Sequence, residues 1–297
     1  MVRSVAGEHA DVHLILSPGA SPHTYEPSPA DLKELQGVSG VFAVGLGLDD
    51  WSDTILKNID DAEKVVLAGA VTLRAYGEHD GHEEHNEHEE DHHDHDDHGE
   101  EEGHDHEEYN TAVEDHDDHD GGHDGHAHGE FDPHYWLSPA NALAMIEGIA
   151  EELGEMDPVH REQYQSNADQ LIAQITEKQE VWKSKIAQLK NKDIVTFHDA
   201  FEYFADYFGL NVIATFEEFP GKEPTPQYLA HLGHEIEEHG IKTMYLEPQL
   251  AKSSLEAFAE DHDVALGVLN PLGGQEGTNS YIELIEYNVN EIAQSNK

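Results

Sequence analysis

The sequence contains no cysteine, few basic residues and no long apolar run. Without cysteine the chain forms no disulfide and offers no thiolate, so any transition metal must bind through imidazole, carboxylate or water. Only 15 Lys and Arg stand against 64 Asp and Glu, which gives a formal net charge of −49. Such a charge repels nucleic acid and anionic lipid headgroups and attracts cations. The composition therefore excludes nucleic acid as a partner and favours a cation as the ligand.

The sequence also lacks a membrane-spanning or export segment. No stretch is long and apolar enough to span a bilayer, and residues 1–7 lack the apolar core of a signal peptide. These residues instead resemble the end of a helix, with Gly7 just past it. We therefore expect the true beginning of the protein, including a first strand, to be missing. The lack of an export signal then says little about location.

Residues 78–130 consist almost entirely of His, Asp, Glu and Gly. They hold 24 of the 64 acidic residues, 15 of the 25 histidines and no Lys or Arg. This segment cannot bury enough apolar area to fold alone, so we predict a disordered loop. The loop either only stays solvated or binds metal weakly, because neutral imidazole is the commonest metal ligand. The histidines expected to form weak sites are His92, His93, His95, His98, His104, His106, His123, His126 and His128.

The remainder of the chain is itself acidic. Outside the loop, 40 acidic residues stand against 15 basic ones. An acidic surface with so few lysines is typical of proteins that work in concentrated salt, because salt screens the self-repulsion. We therefore expect a halophile-like protein.

Short apolar segments alternate with helical segments on both sides of the acidic loop. In the first half of the chain we predict strands over 11–16, 40–45 and 64–68. In the second half we predict strands over 193–197, 210–216, 243–246 and 264–269. This alternation is typical of parallel α/β architecture, and 297 residues suit two small lobes of that kind.

A long helical region separates the two halves. We predict one helix over 139–155 and another that begins at Asp157-Pro158 and continues to Lys190. At 1.5 Å per residue the second helix would be about 50 Å long, which suits a spine that links two lobes. We therefore predict an N-terminal lobe over 1–156, a linking helix over 157–191 and a C-terminal lobe over 192–297.

Three histidines outside the acidic loop lie where ligands are commonly held. His23 lies in a Pro- and Gly-rich loop beyond a predicted strand, and His198 directly follows another. Ligands of open α/β sheets bind at the carboxyl ends of strands. His134 lies in a turn stiffened by prolines, which holds an imidazole at small entropic cost. The other seven are interpreted as surface or partly packed residues, with a shared metal at His231 and His234 as a minor alternative: His9, His13, His160, His231, His234, His239 and His262.

Five segments together resemble the motifs of a known family. They are PGASPHTYEPSP at 18–29, DPHYWLSP at 132–139, HDAFEYF at 198–204, EPQ at 247–249 and NPLGG at 270–274. The segments resemble, in the same order, those of the zinc/manganese solute-binding proteins of ABC importers. The resemblance covers the chain from Val2 onwards. Each motif is weak alone, and the set is specific.

The resemblance implies two small (β/α)4-like lobes joined by one long backbone helix, with a metal site in the cleft between them. It assigns His23 and His134 to the first lobe and His198 to the second. Family members often complete the site with an Asp, and Asn270 occupies that position here. An amide oxygen is a poor zinc ligand beside a carboxylate. Water, Glu247 or a loop histidine are the alternatives for the fourth position.

The expected cargo is Zn²⁺, because three imidazoles favour zinc over manganese, which prefers oxygen ligands. The resemblance implies an extracytoplasmic, membrane-tethered receptor, on the cell surface or the periplasmic side, that delivers Zn²⁺ to the permease subunit of an ABC importer. We expect this receptor to act as a monomer. The alternatives are a Mn²⁺ or Fe²⁺ receptor of the same fold, or a zinc-buffering or adhesin-like surface protein.

Catalysis is the competing class of function. Three histidines and a water on zinc also occur in hydrolytic and hydrating enzymes. The sequence has no HExxH motif, no nucleophile elbow and no evident general base beside the three histidines. We therefore expect a binding protein and no enzyme.

Overall fold

The computed structural model describes residues 1–59, 62–76, 130–217, 221–249 and 253–295. The predicted acidic loop, except for its last residue Glu130, lies outside these ranges, and so do its nine candidate histidines. No helix within them is long and apolar enough to cross a membrane.

The first half of the chain forms a small parallel sheet with short helices. Its elements are α1 (Val2–Ala6), α2 (Pro29–Glu34), β1 (Gly40–Ala43), α3 (Trp51–Leu56) and β2 (Glu63–Val66), with 3-10 turns at Pro22–Thr24 and Leu67–Ala70. Strands β1 and β2 pair in parallel, with Gly40 opposite Glu63. Helix α1 ends at Ala6, and Gly7 lies just past it, as predicted, with φ of 59°.

The predicted strand over 11–16 does not form. A strand is stabilised by hydrogen bonds to a neighbouring strand, and β1 and β2 pair only with each other. The backbone carbonyl of Val12 instead accepts a hydrogen bond from the Arg3 guanidinium at 3.0 Å, and Leu14 is 67% exposed. Within the described residues, the first half therefore has a two-stranded sheet where three strands were predicted.

Two long helices follow, α4 (Pro139–Met156) and α5 (Arg161–Ala187). Helix α5 has 27 residues and is about 40 Å long, shorter than predicted. It begins late because the Asp157 carboxylate accepts hydrogen bonds from the Val159 N–H at 3.2 Å and from His160 Nδ1 at 2.6 Å, which holds a turn. Helix α5 packs against α1 and α4 and also against α9 of the second half. Its buried face is Tyr164, Ala168, Ile175, Trp182 and Ile186.

The second half of the chain is a four-stranded parallel α/β unit. Its elements are β3 (Asp193–Thr196), α6 (Glu202–Phe208), β4 (Asn211–Thr215), α7 (Pro226–Glu238), β5 (Thr243–Leu246), α8 (Ser253–Asp261), β6 (Ala265–Val268) and α9 (Tyr281–Ser295). The strand order is β4-β3-β5-β6, and every pairing is parallel. All four residues of β5 are buried, as expected for a strand covered on both faces. The predicted parallel α/β class is confirmed.

The carboxyl ends of these four strands share one edge of the sheet. One or two residues beyond the strands β4, β3, β5 and β6 lie Glu217, His198, Glu247 and Asn270, in that spatial order. All four side chains are buried, although each is polar. Buried polar groups require partners, so this edge is where a site is expected.

Candidate metal centre

The structure brings the three predicted histidines together. The Nε2 atoms of His23 and His134 are 3.3 Å apart. The ring centroids are 5.3 Å apart for His23 and His134, 5.5 Å for His23 and His198, and 5.2 Å for His134 and His198. One ring nitrogen from each lies within 4.8 Å of the other two. In the described part of the chain, this is the one cluster of three His, Cys, Asp or Glu residues so arranged.

His198 is held by a buried carboxylate at the end of β3. Its Nδ1 atom lies 2.5 Å from Oε1 of Glu247, and both side chains are at most 2% exposed. The second oxygen of Glu247 accepts a hydrogen bond from Gln249 Nε2 at 2.7 Å. Burial lowers the pKa of His198, but the adjacent Glu247 charge prevails and raises the pKa above its ordinary value. The carboxylate therefore keeps a proton on Nδ1 and turns Nε2 towards the other rings.

The opposite nitrogen of His198 is buried without a hydrogen bond. Among the described residues, no group forms a hydrogen bond with His198 Nε2. A buried polar atom left unsatisfied costs about 1–3 kcal/mol. Because Nε2 faces the rings of His23 and His134, a shared ligand would satisfy it. The donor set of three imidazoles fits a borderline divalent metal.

His134 is held in the same way by a different residue. Oδ1 of Asp132 accepts hydrogen bonds from the backbone N–H of His134 and from its Nδ1, each at 2.8 Å. Asp132 is 2% exposed, and burial raises the pKa of its carboxyl to about 7 against the lowering effect of the His134 N–H. The 3-10 turn Tyr135–Leu137 follows, and Trp136 Nε1 donates to the carbonyl of Pro271 at 2.8 Å. This turn therefore ties His134 to the second half of the chain.

His23 lies on the 3-10 turn Pro22–Thr24 and is half-buried. The indole N–H of Trp51, on α3, donates to the carbonyl of Pro22 at 3.2 Å. The Tyr25 ring packs on the same indole, with centroids 4.6 Å apart. Two aromatic residues and a proline thus brace the turn that carries this imidazole.

Asn270 braces a loop. Its Oδ1 accepts the backbone N–H groups of Leu272 at 3.0 Å and Gly273 at 2.8 Å, and its Nδ2 donates to Thr278 Oγ at 3.3 Å. Its backbone N–H and carbonyl both bond the side chain of Asn288, each at 2.8 Å. The amide that the resemblance in sequence suggested for the fourth ligand position is therefore engaged with its own loop. Glu247, the other candidate, is engaged with His198.

Two residues of this region were missed in the sequence. Asp132 lies two residues before His134, and that spacing could have indicated a carboxylate bonded to the imidazole. Glu217 follows β4 as His198 follows β3, so its position at the strand end was a usable signal. Its Oε2 accepts the Gly221 N–H at 2.7 Å, and burial raises the pKa of its carboxyl.

The remaining histidines of the described ranges lie elsewhere. His9 stacks on His160, with ring centroids 4.4 Å apart. On α7, His231 and His234 each approach a glutamate one turn later, at 3.6 and 3.4 Å, and both are exposed. They do not form a cluster of three potential ligands with any described residue.

The chain is similar in sequence and in fold to known proteins. The zinc-binding lipoprotein AdcA of Streptococcus pneumoniae (strain R6) is 28% identical over 298 aligned residues, which is 99% of this chain and 53% of AdcA. The chain thus spans about half the length of the curated relatives it matches. A crystal structure of ZnuA superposes with a TM-score of 0.76 at 23% identity, covering 100% of this chain and 94% of that one. The crystal structure of a Zn(II)-bound mutant variant of AdcAII from Streptococcus pneumoniae superposes with a TM-score of 0.74 at 25% sequence identity. The superposition covers 100% of this chain and 94% of that one.

A family match extends over almost the whole chain. Residues 1–295 match the family described as zinc-uptake complex component A, periplasmic. The match includes all three histidines of the cluster and both carboxylates that orient them. The chain therefore belongs to the ZnuA family.

Proposed function

We propose that this chain captures Zn²⁺ outside the cytoplasm through Nε2 of His23, His134 and His198 and delivers it to an ABC importer. One observation carries the proposal: three ring nitrogens from distant parts of the sequence converge within 4.8 Å. Buried carboxylates orient two of these rings from behind. Hydrogen bonds of this kind fix the tautomer and ring direction of zinc-binding histidines.

The spacing of the nitrogens supports zinc in particular. In a tetrahedral zinc site with Zn–N bonds of about 2.0–2.1 Å, ligand nitrogens lie about 3.3 Å apart. His23 and His134 already have this separation. The carboxylates of Asp132 and Glu247 bond Nδ1 atoms and do not belong to the converging set. An all-imidazole set favours Zn²⁺ over Mn²⁺.

The same arrangement supports capture and release over catalysis. In a catalytic site, water would occupy the fourth position on the zinc and a general base would lie beside that water. Glu247 has one oxygen on His198 and the other on Gln249, so it serves to orient the ring. We infer that solvent fills the fourth position and that the chain releases its zinc unchanged.

We further propose the lobe boundaries expected from the sequence: 1–156, 157–191 and 192–297. Helix α5 packs on α1 and α4 of the first half and on α9 of the second, as a spine between lobes would. The partner is the permease subunit of the importer, the receptor acts as a monomer, and it is tethered to the membrane on the extracytoplasmic side.

The test is zinc titration of the His198→Ala variant against a chromophoric chelator. Loss of a partner of a ligand usually costs 10–100-fold in metal affinity, so loss of a ligand should cost at least about 100-fold. His231→Ala, which removes an exposed imidazole on α7, is the matched control and should bind as the parent does. An unchanged Kd for His198→Ala would remove His198 from the metal site and contradict the proposal.

A further inference from the structure

Two short segments pair where the acidic loop leaves and rejoins the fold. Residues 74–76 run antiparallel to residues 130–132, and the N–H of Asp132 donates to the carbonyl of Arg74 at 2.9 Å. Asp132 is the residue that orients His134. The position of His134 therefore depends on the backbone at Arg74.

Arg74 is in turn fastened to helix α6 of the second half. Its guanidinium forms ion pairs with Glu202, at 3.4 Å, and with Asp206. Its backbone N–H donates to the hydroxyl of Tyr203 at 2.7 Å, and that hydroxyl donates to the carbonyl of Asp132 at 3.2 Å. We call Arg74, Glu202, Tyr203 and Asp206 the Arg74 clamp.

Helix α6 is coupled to the other side of the metal site. Only Asp199, Ala200 and Phe201 separate His198 from the start of the helix. Ala200 and Phe201 are fully buried, so the helix cannot shift without moving His198. The clamp thus connects the segment that carries His134 to the element that follows His198.

We propose that the Arg74 clamp sets the separation of His134 from His198 and makes Arg74 a positioning residue for the metal site. The inference rests on the proposed function, because it assigns the clamp to zinc capture. Metal sites depend on supporting residues that hold the ligands in the productive geometry. A clamp across the two halves would keep the cluster assembled before zinc arrives.

The charge balance around Arg74 supports this role. The chain has 15 basic residues against 64 acidic ones, yet this arginine is 19% exposed and faces two carboxylates of α6. A partly buried ion pair adds little net stability, so a positional role explains such a pair better than stability does.

The test compares Arg74→Met, Arg74→Lys and Tyr203→Phe with Lys178→Met. The last removes a cation that pairs with Glu286 at 3.1 Å, between α5 and α9, and is the matched control. Zinc Kd is measured by chelator competition, and the free energy of unfolding is measured separately. Because the chain has no cysteine, spin labels at Thr54→Cys and Gln227→Cys report the distance between the halves without zinc.

We expect Arg74→Met to weaken zinc binding about tenfold, the lower end for residues that support metal ligands, and to broaden the metal-free distance distribution. Tyr203→Phe should act in the same direction, and Arg74→Lys should restore part of the affinity. Lys178→Met should match the parent in both measurements. If Arg74→Met does not fold, Tyr203→Phe decides alone.

If Arg74→Met and Tyr203→Phe lower the free energy of unfolding but leave the zinc Kd and the label distances unchanged, the inference is overturned. That result would show that the clamp has a merely structural role. A zinc Kd that is the same for His198→Ala as for the parent protein would overturn the proposed function instead. In that case the distance distribution still decides whether the clamp holds the halves together.

Discussion

His198 in the second half of the molecule and His23 in the first half are held in the metal site by different means. In the second half, His198 follows a central strand of a four-stranded sheet and is bonded to Glu247 from the neighbouring strand. In the first half, the sheet has two strands and His23 lies on a three-residue turn braced by Trp51. A parallel sheet fixes the direction of its strand ends, whereas a turn must be held by its own neighbours.

This difference indicates which contacts matter on each side. The second half provides a rigid edge on which one buried carboxylate orients one imidazole. The first half orients His134 through the buried carboxylate of Asp132, but it holds the turn that carries His23 through several weaker contacts. Perturbing the carboxylate should therefore cost more than perturbing any single brace of the turn.

The largest of these effects is expected for Glu247→Gln. Glutamine keeps the size of the side chain but removes the charge that holds the Nδ1 proton of His198, so zinc affinity should fall about 10–100-fold. Chelator competition measures the Kd. The control is Glu235→Gln, which changes a carboxylate near His231 and His239 on α7. Equal affinities for the parent and Glu247→Gln would remove the contrast between the halves.

A smaller effect is expected for Trp51→Phe. The substitution deletes the hydrogen bond to the Pro22 carbonyl and keeps an aromatic ring against Tyr25. A typical hydrogen bond contributes about 0.5–1.5 kcal/mol, so the zinc Kd should rise by about tenfold at most. The same titration measures it, with unfolding followed in parallel. A loss larger than that of Glu247→Gln would reverse the ranking of the two halves.

The smallest effect concerns the other end of β3, where Asp193 pairs with His239 at 2.9 Å. The hydrogen bond to Asp193 raises the pKa of His239. Burial raises the pKa of Asp193, but the hydrogen bonds from Asn211 and His239 prevail and lower it. Because the pKa of His239 is raised on folding, His239 stabilises the fold at pH values below 6.5. This contribution is lost as the pH rises through the folded pKa of His239. Because the pKa of Asp193 is lowered on folding, Asp193 stabilises the fold at pH values above 3.8. This contribution is lost as the pH falls through the folded pKa of Asp193.

The contribution of this pair to the free energy of unfolding should therefore be greatest between pH 3.8 and pH 6.5. Asp193→Asn should lower the free energy of unfolding by roughly 0.5 kcal/mol in that window and by less above it. It should also return the His239 pKa towards its ordinary value, which NMR titration measures. An Asp193→Asn loss of stability that does not vary with pH would show that the ion pair is not its cause.

Much of the second half could be predicted from its sequence, and less of the first. The apolar segments of β3 to β6 are each bounded by turn residues, and all four strands form within the predicted ranges. The segment 11–16 has a similar local pattern and forms no strand, because a strand also needs a partner that no local pattern provides. Helix α5 began late for a local reason, the Asp157 turn, that the pattern of apolar residues does not report.

The sequence by itself determined the chemistry of this protein: no thiolate, an acidic chain that attracts cations, and three histidines in turns and at a strand end. Those properties depend on residue type and on neighbours a few positions away. The tertiary structure decided that the three rings meet and that Glu247 orients His198. It also decided the fastening of Arg74 to α6. The contacts between His198 and Glu247, between His23 and His134 and between Arg74 and Tyr203 join residues 49, 111 and 129 positions apart, and only the packing of the whole chain brings such residues within bonding distance.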